Sequence, residues 1–176
     1  NWNNGSDIFI TKLNASGYSL IGSTYLGGSA NDGLALSAPL NHNYADHARG
    51  EVMLDNNDNV YIASSTQSSN FPTTTSSHSQ SFSGNIDGIV CKLSPNLNTL
   101  IWSTYIGGSS EDAAYSIRVD TVNNQTIICG GTRSNNIGAT SGTINPTRPG
   151  GTDGYVATFS NTTGSLNALT YLGTSS

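Results

Sequence analysis

The heptapeptide Ser23-Thr24-Tyr25-Leu26-Gly27-Gly28-Ser29 returns as Ser103-Thr104-Tyr105-Ile106-Gly107-Gly108-Ser109, and in weaker form as Leu169-Thr170-Tyr171-Leu172-Gly173-Thr174-Ser175. Internal copies of this kind mean one supersecondary unit laid against another, which restricts the fold more than composition does. An Asp-led apolar stretch precedes each copy: Asp7–Leu13, Asp87–Leu93 and Asp153–Phe159. A third element, two apolar runs across a turn, occurs twice, as Glu51–Asp55 with Val60–Ser64 and as Ser116–Asp120 with Thr126–Gly130. Tyr25 to Tyr105 is 80 residues and Tyr105 to Tyr171 is 66; the excess of 14 falls on residues 36–49, which read as an insertion in the first copy.

Each full unit then holds four short strands, a to d. They are expected near 51–55, 60–65, 87–93 and 100–106 in the first unit, and near 116–120, 126–131, 153–159 and 166–172 in the second. Residues 7–13 and 20–26 form an orphan c–d pair. Apolar and polar residues alternate as in half-buried strands, while Gly and β-branched residues interrupt every helix-length window. Asn56–Asn59 and Pro95–Asn98 supply tight-turn chemistry. The organisation expected is a half unit over 1–35, the insertion 36–49, and full units over 50–108 and 109–176, all within one larger domain. A four-stranded antiparallel sheet has two apolar faces to hide, and stacking copies around an axis hides both. The fold class is therefore all-β, a β-propeller of four-stranded antiparallel blades present here as an incomplete ring. The alternative is a β-sandwich, which also uses short strands with closely spaced turns.

The ordered motifs resemble the SBBP-type bacterial β-propeller repeat family: Ser-Thr-Tyr-Leu-Gly-Gly-Ser, a following acidic residue, the apolar-Asp strand, Asn70-Phe71-Pro72-Thr73-Thr74, and Asp87-Gly88-Ile89-Val90-Cys91-Lys92-Leu93. The second copy departs from the pattern with Ile137-Gly138-Ala139-Thr140, and the insertion lies outside it. The resemblance implies a secreted or surface-exposed bacterial protein and carries no catalytic residues with it. Propellers have ~4–8 blades, so the rest of the ring is expected from the same longer chain or from other copies. Shared closure would set a–b strands from the far end of the chain beside residues 7–26.

Charge narrows the partners. Six Lys and Arg against eleven Asp and Glu give a net charge of −5, and 10% of residues are charged. A nucleic-acid partner needs a concentrated basic face, anionic lipid needs basic clusters, and membrane insertion needs ~20 apolar residues in a row. None of these is present in the sequence. Asn1 in place of an initiator Met reads as a processed or truncated start.

In an antiparallel meander the d–a and b–c connections emerge together, which puts the long loops 29–50, 66–86, 109–115 and 132–152 on one face. Binding residues concentrate on loops held by a rigid scaffold, so the candidates are His42, Tyr44, Asp46, His47, Arg49, Phe71, His78, Phe82 and Arg148. The three histidines with Asp46 would suit zinc or copper by donor type, but their spacing fixes no geometry. No cofactor is expected. Calcium is the ion the carboxylates would take, with Asp32, Asp55, Asp58 and Asp112 as candidates; the competing reading makes Asp32 and Asp112 acceptors of backbone N–H groups at the start of each unit. Cys91 and Cys129 read as two buried free thiols. Tyr25, Tyr105 and Tyr171 read as packing between blades. Gly27, Gly28, Gly107 and Gly108 read as positive-φ turns leading into the next blade.

Three functions remain open. The first is a non-enzymatic scaffold for adhesion or interaction, its partners being protein segments, cell-surface proteins or glycans. The second is a glycan-active hydrolase or lyase using carboxylates of the loop face, Asp32, Asp46, Glu111 and Asp112 being the supply. The third is a structural spacer.

Overall fold

The computed structural model describes residues 5–36, 38–42 and 46–175, so the loop candidate Tyr44 lies outside the described residues. Their fold is all-β. β1 (Ile8–Leu13) and β2 (Leu20–Leu26) form a two-stranded antiparallel sheet. β3 (Glu51–Leu54), β4 (Val60–Thr66), β5 (Asp87–Leu93) and β6 (Leu100–Ile106) form a meander in that order. β7 (Asp112–Asp120), β8 (Gln125–Thr132), β9 (Asp153–Ser160) and β10 (Leu166–Leu172) form a second meander of the same order. Two 3-10 turns, Ala38–Leu40 and Asp46–Ala48, fall in the inserted segment. β7 starts at Asp112, earlier than the pattern suggests, because a bulge between Ala114 and Ser116 breaks its alternation.

The two periodicities expected of stacked units are visible in the core. In β4, Tyr61 and Ala63 point toward the second meander and pack with Ile117, Ile128, Tyr155 and Tyr171. Val60 and Ile62 point the other way and pack with Leu26 and, through them, with Ile8 and Ile10 of the hairpin. The sheet is thus apolar on both faces, and each face has its own neighbour. The three Thr-Tyr stretches occupy one place in the topology, the last strand of each sheet.

The b–c loops do not stay on one end of the sheets. Residues 66–86 turn back along β6, where Thr74 N–H donates to the Ser103 carbonyl at 3.0 Å and Tyr105 N–H to the Ser79 carbonyl at 3.1 Å. Residues 132–152 repeat this on β10, with Thr140 N–H on the Leu169 carbonyl at 2.9 Å and Tyr171 N–H on the Asn145 carbonyl at 3.1 Å. Each loop therefore satisfies the free edge of its own fourth strand.

Two expectations are corrected. Gly27, Gly28, Gly107 and Gly108 are not positive-φ residues. They are glycine because of close approach: a Cβ on Gly28 would lie 2.5 Å from Ser68 Cβ, and one on Gly108 2.7 Å from Ser134 Cβ. Among the described residues, no a–b strands stand beside β1–β2. Cys91 is buried but Cys129 is exposed, because its side of β8 faces away from the first meander, where its counterpart Ala63 meets a neighbouring sheet.

Candidate functional site

The inserted segment folds onto the second meander. Ala35 and Leu40 pack with Ile86 and Ala113, with Tyr115 against them. The Tyr115 hydroxyl donates to the Leu40 carbonyl at 3.1 Å, and Thr152 Oγ1 to the Pro39 carbonyl at 3.3 Å. Between insertion and sheet lies a recess of about 250 Å³ lined by His42, Asp46, Arg49, Tyr115, Thr152 and Asp153, with Gly130, Gly131 and Gly154 as its floor.

Charge in the recess is held in place. Asp46 is buried, accepts the His42 backbone N–H at 3.0 Å, and lies 3.4 Å from the Arg49 guanidinium. That guanidinium also sits 5.4 Å from the centre of the Tyr115 ring, a cation–π arrangement. Burial holds the Tyr115 hydroxyl above the usual phenol range. Asp153 accepts the Gly150 N–H at 3.1 Å and lies 3.9 Å from Arg148. The recess therefore brings together an aromatic ring and a cation held by a buried carboxylate, a set suited to holding a small polar group by stacking and hydrogen bonds.

Of the nine loop residues singled out, the structure brings together His42, Asp46 and Arg49, with Arg148 contacting the rim through Asp153. His47 is exposed outside it, although its carbonyl accepts the Ala35 N–H at 2.6 Å. Phe71, His78 and Phe82 lie outside the recess. Phe71 is buried and meets Tyr105 edge-on at 6.2 Å; Phe82 packs on the same ring at 5.9 Å. His78 packs on Phe159 at 6.2 Å while its backbone N–H donates to the Gly164 carbonyl at 3.0 Å, and burial pushes its pKa down. These three belong to contacts beside and between sheets because their loop runs back along β6. Tyr115 and Asp153 complete the recess without having been singled out. Tyr115 follows a d–a loop as an aromatic outside the repeat pattern, which is the signal for it.

The other carboxylates serve the repeat. Asp32 accepts the Gly28 N–H at 2.7 Å, the Ser68 hydroxyl at 2.9 Å and the Thr66 hydroxyl. Asp112 repeats the set with Gly108 N–H at 2.7 Å, the Ser134 hydroxyl at 2.7 Å and the Thr132 hydroxyl. Burial holds both above the usual carboxylate range. Asp55 accepts the backbone N–H groups of Asn57 and Asn59 and the Tyr61 hydroxyl, which closes the a–b turn. Asp58 pairs with Lys12 at 3.5 Å. Oxygens already committed to O–H and N–H donors do not suit calcium, which takes 6–8 oxygen ligands. Among the described residues no three of His, Cys, Asp and Glu gather as a metal group.

Glu111 pairs with Arg133 at 3.2 Å. Asp87 is fully buried, and burial pushes it up to about 7. One of its oxygens accepts the Ser83 N–H at 2.8 Å, and among the described residues the other has no hydrogen-bond partner.

No family model and no curated protein matches the chain.

Proposed function

We propose that the chain is a run of β-propeller blades of the SBBP-repeat type, from a secreted or surface-exposed bacterial protein, acting as a non-enzymatic interaction or adhesion scaffold through the recess beside the insertion. The repeated c–d hairpin, the two meanders of identical strand order and the doubly apolar first sheet support the propeller reading. The observation that carries the functional reading is that the segment breaking the repeat, 36–49, is the one that walls the recess. An insertion that only lengthened a turn would lie free in solvent; this one supplies Leu40 to a small core and His42, Asp46 and Arg49 to a concave surface. The remaining blades come from further copies of the repeat.

The glycan-active alternative would use the same recess. What weighs against it is the placement of the carboxylates whose pKa burial raises. Asp32, Asp87 and Asp112, all raised by burial, are sealed inside the protein, whereas a general acid must reach its substrate. Asp46, within the recess, is already engaged by Arg49 and the His42 N–H.

The test compares the chain with a variant in which residues 36–49 are replaced by a short Gly-Ser turn, and with Arg49→Ala, on a glycan array and in pull-downs from bacterial surface extracts. Binding lost by both variants supports the recess. Binding retained in full by both removes it.

A further inference from the structure

We propose that the recess beside the insertion is a site for an acidic sugar, a terminal uronic acid residue whose carboxylate docks on Arg49 and whose ring lies on the glycine floor. This deepens the recess reading above and rests on it. Three departures from the repeat meet at this one place. The first is the insertion, which supplies Asp46 and Arg49. The second is Tyr115, which sits in the bulge between Ala114 and Ser116. The third is Gly130-Gly131, standing where the first unit has Ser64-Ser65. Thr66 and Thr132 fix that alignment, since they make the same hydrogen bond to Asp32 and Asp112.

The missing side chains make the space. A Cβ on Gly131 would lie 3.3 Å from the Tyr115 ring and 3.4 Å from Leu40 Cδ2, so a larger residue there would fill the gap between floor and wall. Gly154 faces Gly131 across the β8–β9 ladder. Together they leave a flat strip of bare backbone beside an aromatic ring. A pyranose suits such a seat, because its C–H face packs on the strip while its hydroxyls reach polar groups at the rim. At about 250 Å³ the recess lies below the ~300–1,000 Å³ of sites that enclose drug-sized ligands. It therefore takes one ring at the end of a glycan and not a length of chain.

The charge that the recess presents is positive, although the chain as a whole carries −5. The Asp46 side chain is 5% exposed and that of Asp153 2%, and each lies within ion-pair distance of an arginine. The Arg49 side chain is 48% exposed, and His42 is exposed as well. The carboxylates are thus held inward and the guanidinium faces outward, an arrangement that draws an anion and repels an amine.

Arg49 is also held ready for one kind of anion. Its Nη1 faces Asp46 at 3.4 Å, and its guanidinium lies over the Tyr115 ring. These two contacts fix the plane of a fork whose five N–H donors exceed what Asp46 takes up. A carboxylate is planar and accepts two parallel N–H bonds from such a fork. A uronate combines that group with a ring for the glycine floor, whereas a neutral sugar offers only the ring and acetate only the carboxylate.

The experiment follows the backbone amide NMR signals of the full chain during titration with the methyl glycosides of glucuronic and galacturonic acid. Methyl glucoside, methyl glucuronamide, acetate and N-acetyl-Gly-Gly are titrated in parallel. The expected result is a saturable shift of the Gly130, Gly131 and Gly154 signals with at least one of the two uronates. The glucoside, the uncharged glucuronamide and acetate should each bind about tenfold more weakly, the loss expected when a charged hydrogen-bonding partner or the ring is removed. Arg49→Lys keeps the charge and the pairing with Asp46 but loses the fork, and should weaken uronate binding by a similar factor. Equal binding of glucuronide and glucuronamide overturns the proposal, as does an Arg49→Lys variant that binds the uronates as well as the native chain. Acetate binding as tightly as the uronates overturns it too, because the floor would then add nothing. Tighter binding of N-acetyl-Gly-Gly, whose carboxylate ends a peptide, also overturns it. In each of these cases the shifts still fall on the recess, so the recess reading survives. If none of the probes moves the three glycine signals, the uronate is excluded, and the comparison with the variant lacking residues 36–49 decides the recess on its own.

Discussion

The Glu51 carboxylate accepts the Ile117 backbone N–H at 2.8 Å, joining the first strand of one meander to the first strand of the next. The Ser116 hydroxyl donates to it at 2.6 Å and the Arg118 guanidinium lies at 2.5 Å. Together these hold Glu51 down to about 2, the Ser116 hydroxyl contributing most. A depressed carboxyl stabilises the fold above its unfolded value near 4.5, and that stabilisation is lost as pH falls toward 2. Urea unfolding from pH 5 to pH 2.5 should show a falling limb that Glu51→Gln flattens. An unchanged limb would take Glu51 out of the junction.

Asp87 works with the opposite sign. Its pKa is raised from 3.8 to about 7 by burial, so between those values the folded chain holds a proton that the unfolded chain has released. Stability then declines as pH rises through that window and levels above it. Asp32 and Asp112, raised in the same direction, add to the decline. Asp87→Asn should be more stable than the native chain at pH 8 and close to it at pH 4, by thermal unfolding at both. A variant less stable at pH 8 would contradict this.

The three repeat tyrosines should respond unequally. Tyr105 donates to the Ser68 carbonyl at 2.8 Å and accepts the Phe71 N–H at 2.9 Å. Tyr171 donates to the Ser134 carbonyl at 3.0 Å. Tyr25 is 59% exposed, against 1% and 0% for the other two, and meets the Phe9 ring at 5.3 Å. Removing a buried hydroxyl that leaves partners unsatisfied costs ~1–3 kcal/mol, while an exposed change stays within about 0.5 kcal/mol. Tyr105→Phe and Tyr171→Phe should each lower the unfolding free energy by the first amount, and Tyr25→Phe by no more than the second. Equal losses at all three positions would contradict the assignment.

The thiols give a quick readout of sheet placement. Cys91 is fully buried, its thiol pushed up to about 12 by burial, whereas Cys129 is exposed. A thiol reagent at pH 8 should titrate one group in the native chain and two in guanidinium chloride. Two reactive thiols in the native state would mean that the face carrying Cys91 is open.

Much of the fold was legible because its signals are local. Alternation and turn residues bound β4, β5, β6, β9 and β10 to within a residue or two, and the recurrence of Asp32 and Asp112 pointed to backbone acceptance, which their contacts with Gly28 and Gly108 now describe. What was not legible depends on which chain segment arrives from a distance. Cys129 aligns with Ala63, yet among the described residues a neighbouring sheet covers Ala63 and none covers Cys129. Phe71, Phe82 and His78 sit in a long polar loop, and nothing local says that the loop returns along β6. Glu51 looks like an ordinary strand residue until Ile117, 66 positions away, is set beside it. The Gly-Gly pairs were misread because positive φ and close approach both select glycine, and the sequence does not distinguish the two.

The claim on which the rest depends is that the hairpin and the two meanders are successive copies related by one repeated rotation. Ser16, Asn96 and Thr162 are equivalent, exposed positions in the three c–d turns. Spin labels on pairs of these, placed as cysteines in a Cys129→Ala background, measure the relation directly. The account predicts equal distances for 16 to 96 and for 96 to 162, with 16 to 162 shorter than the two together. Unequal steps, or a 16 to 162 distance equal to their sum, would contradict it.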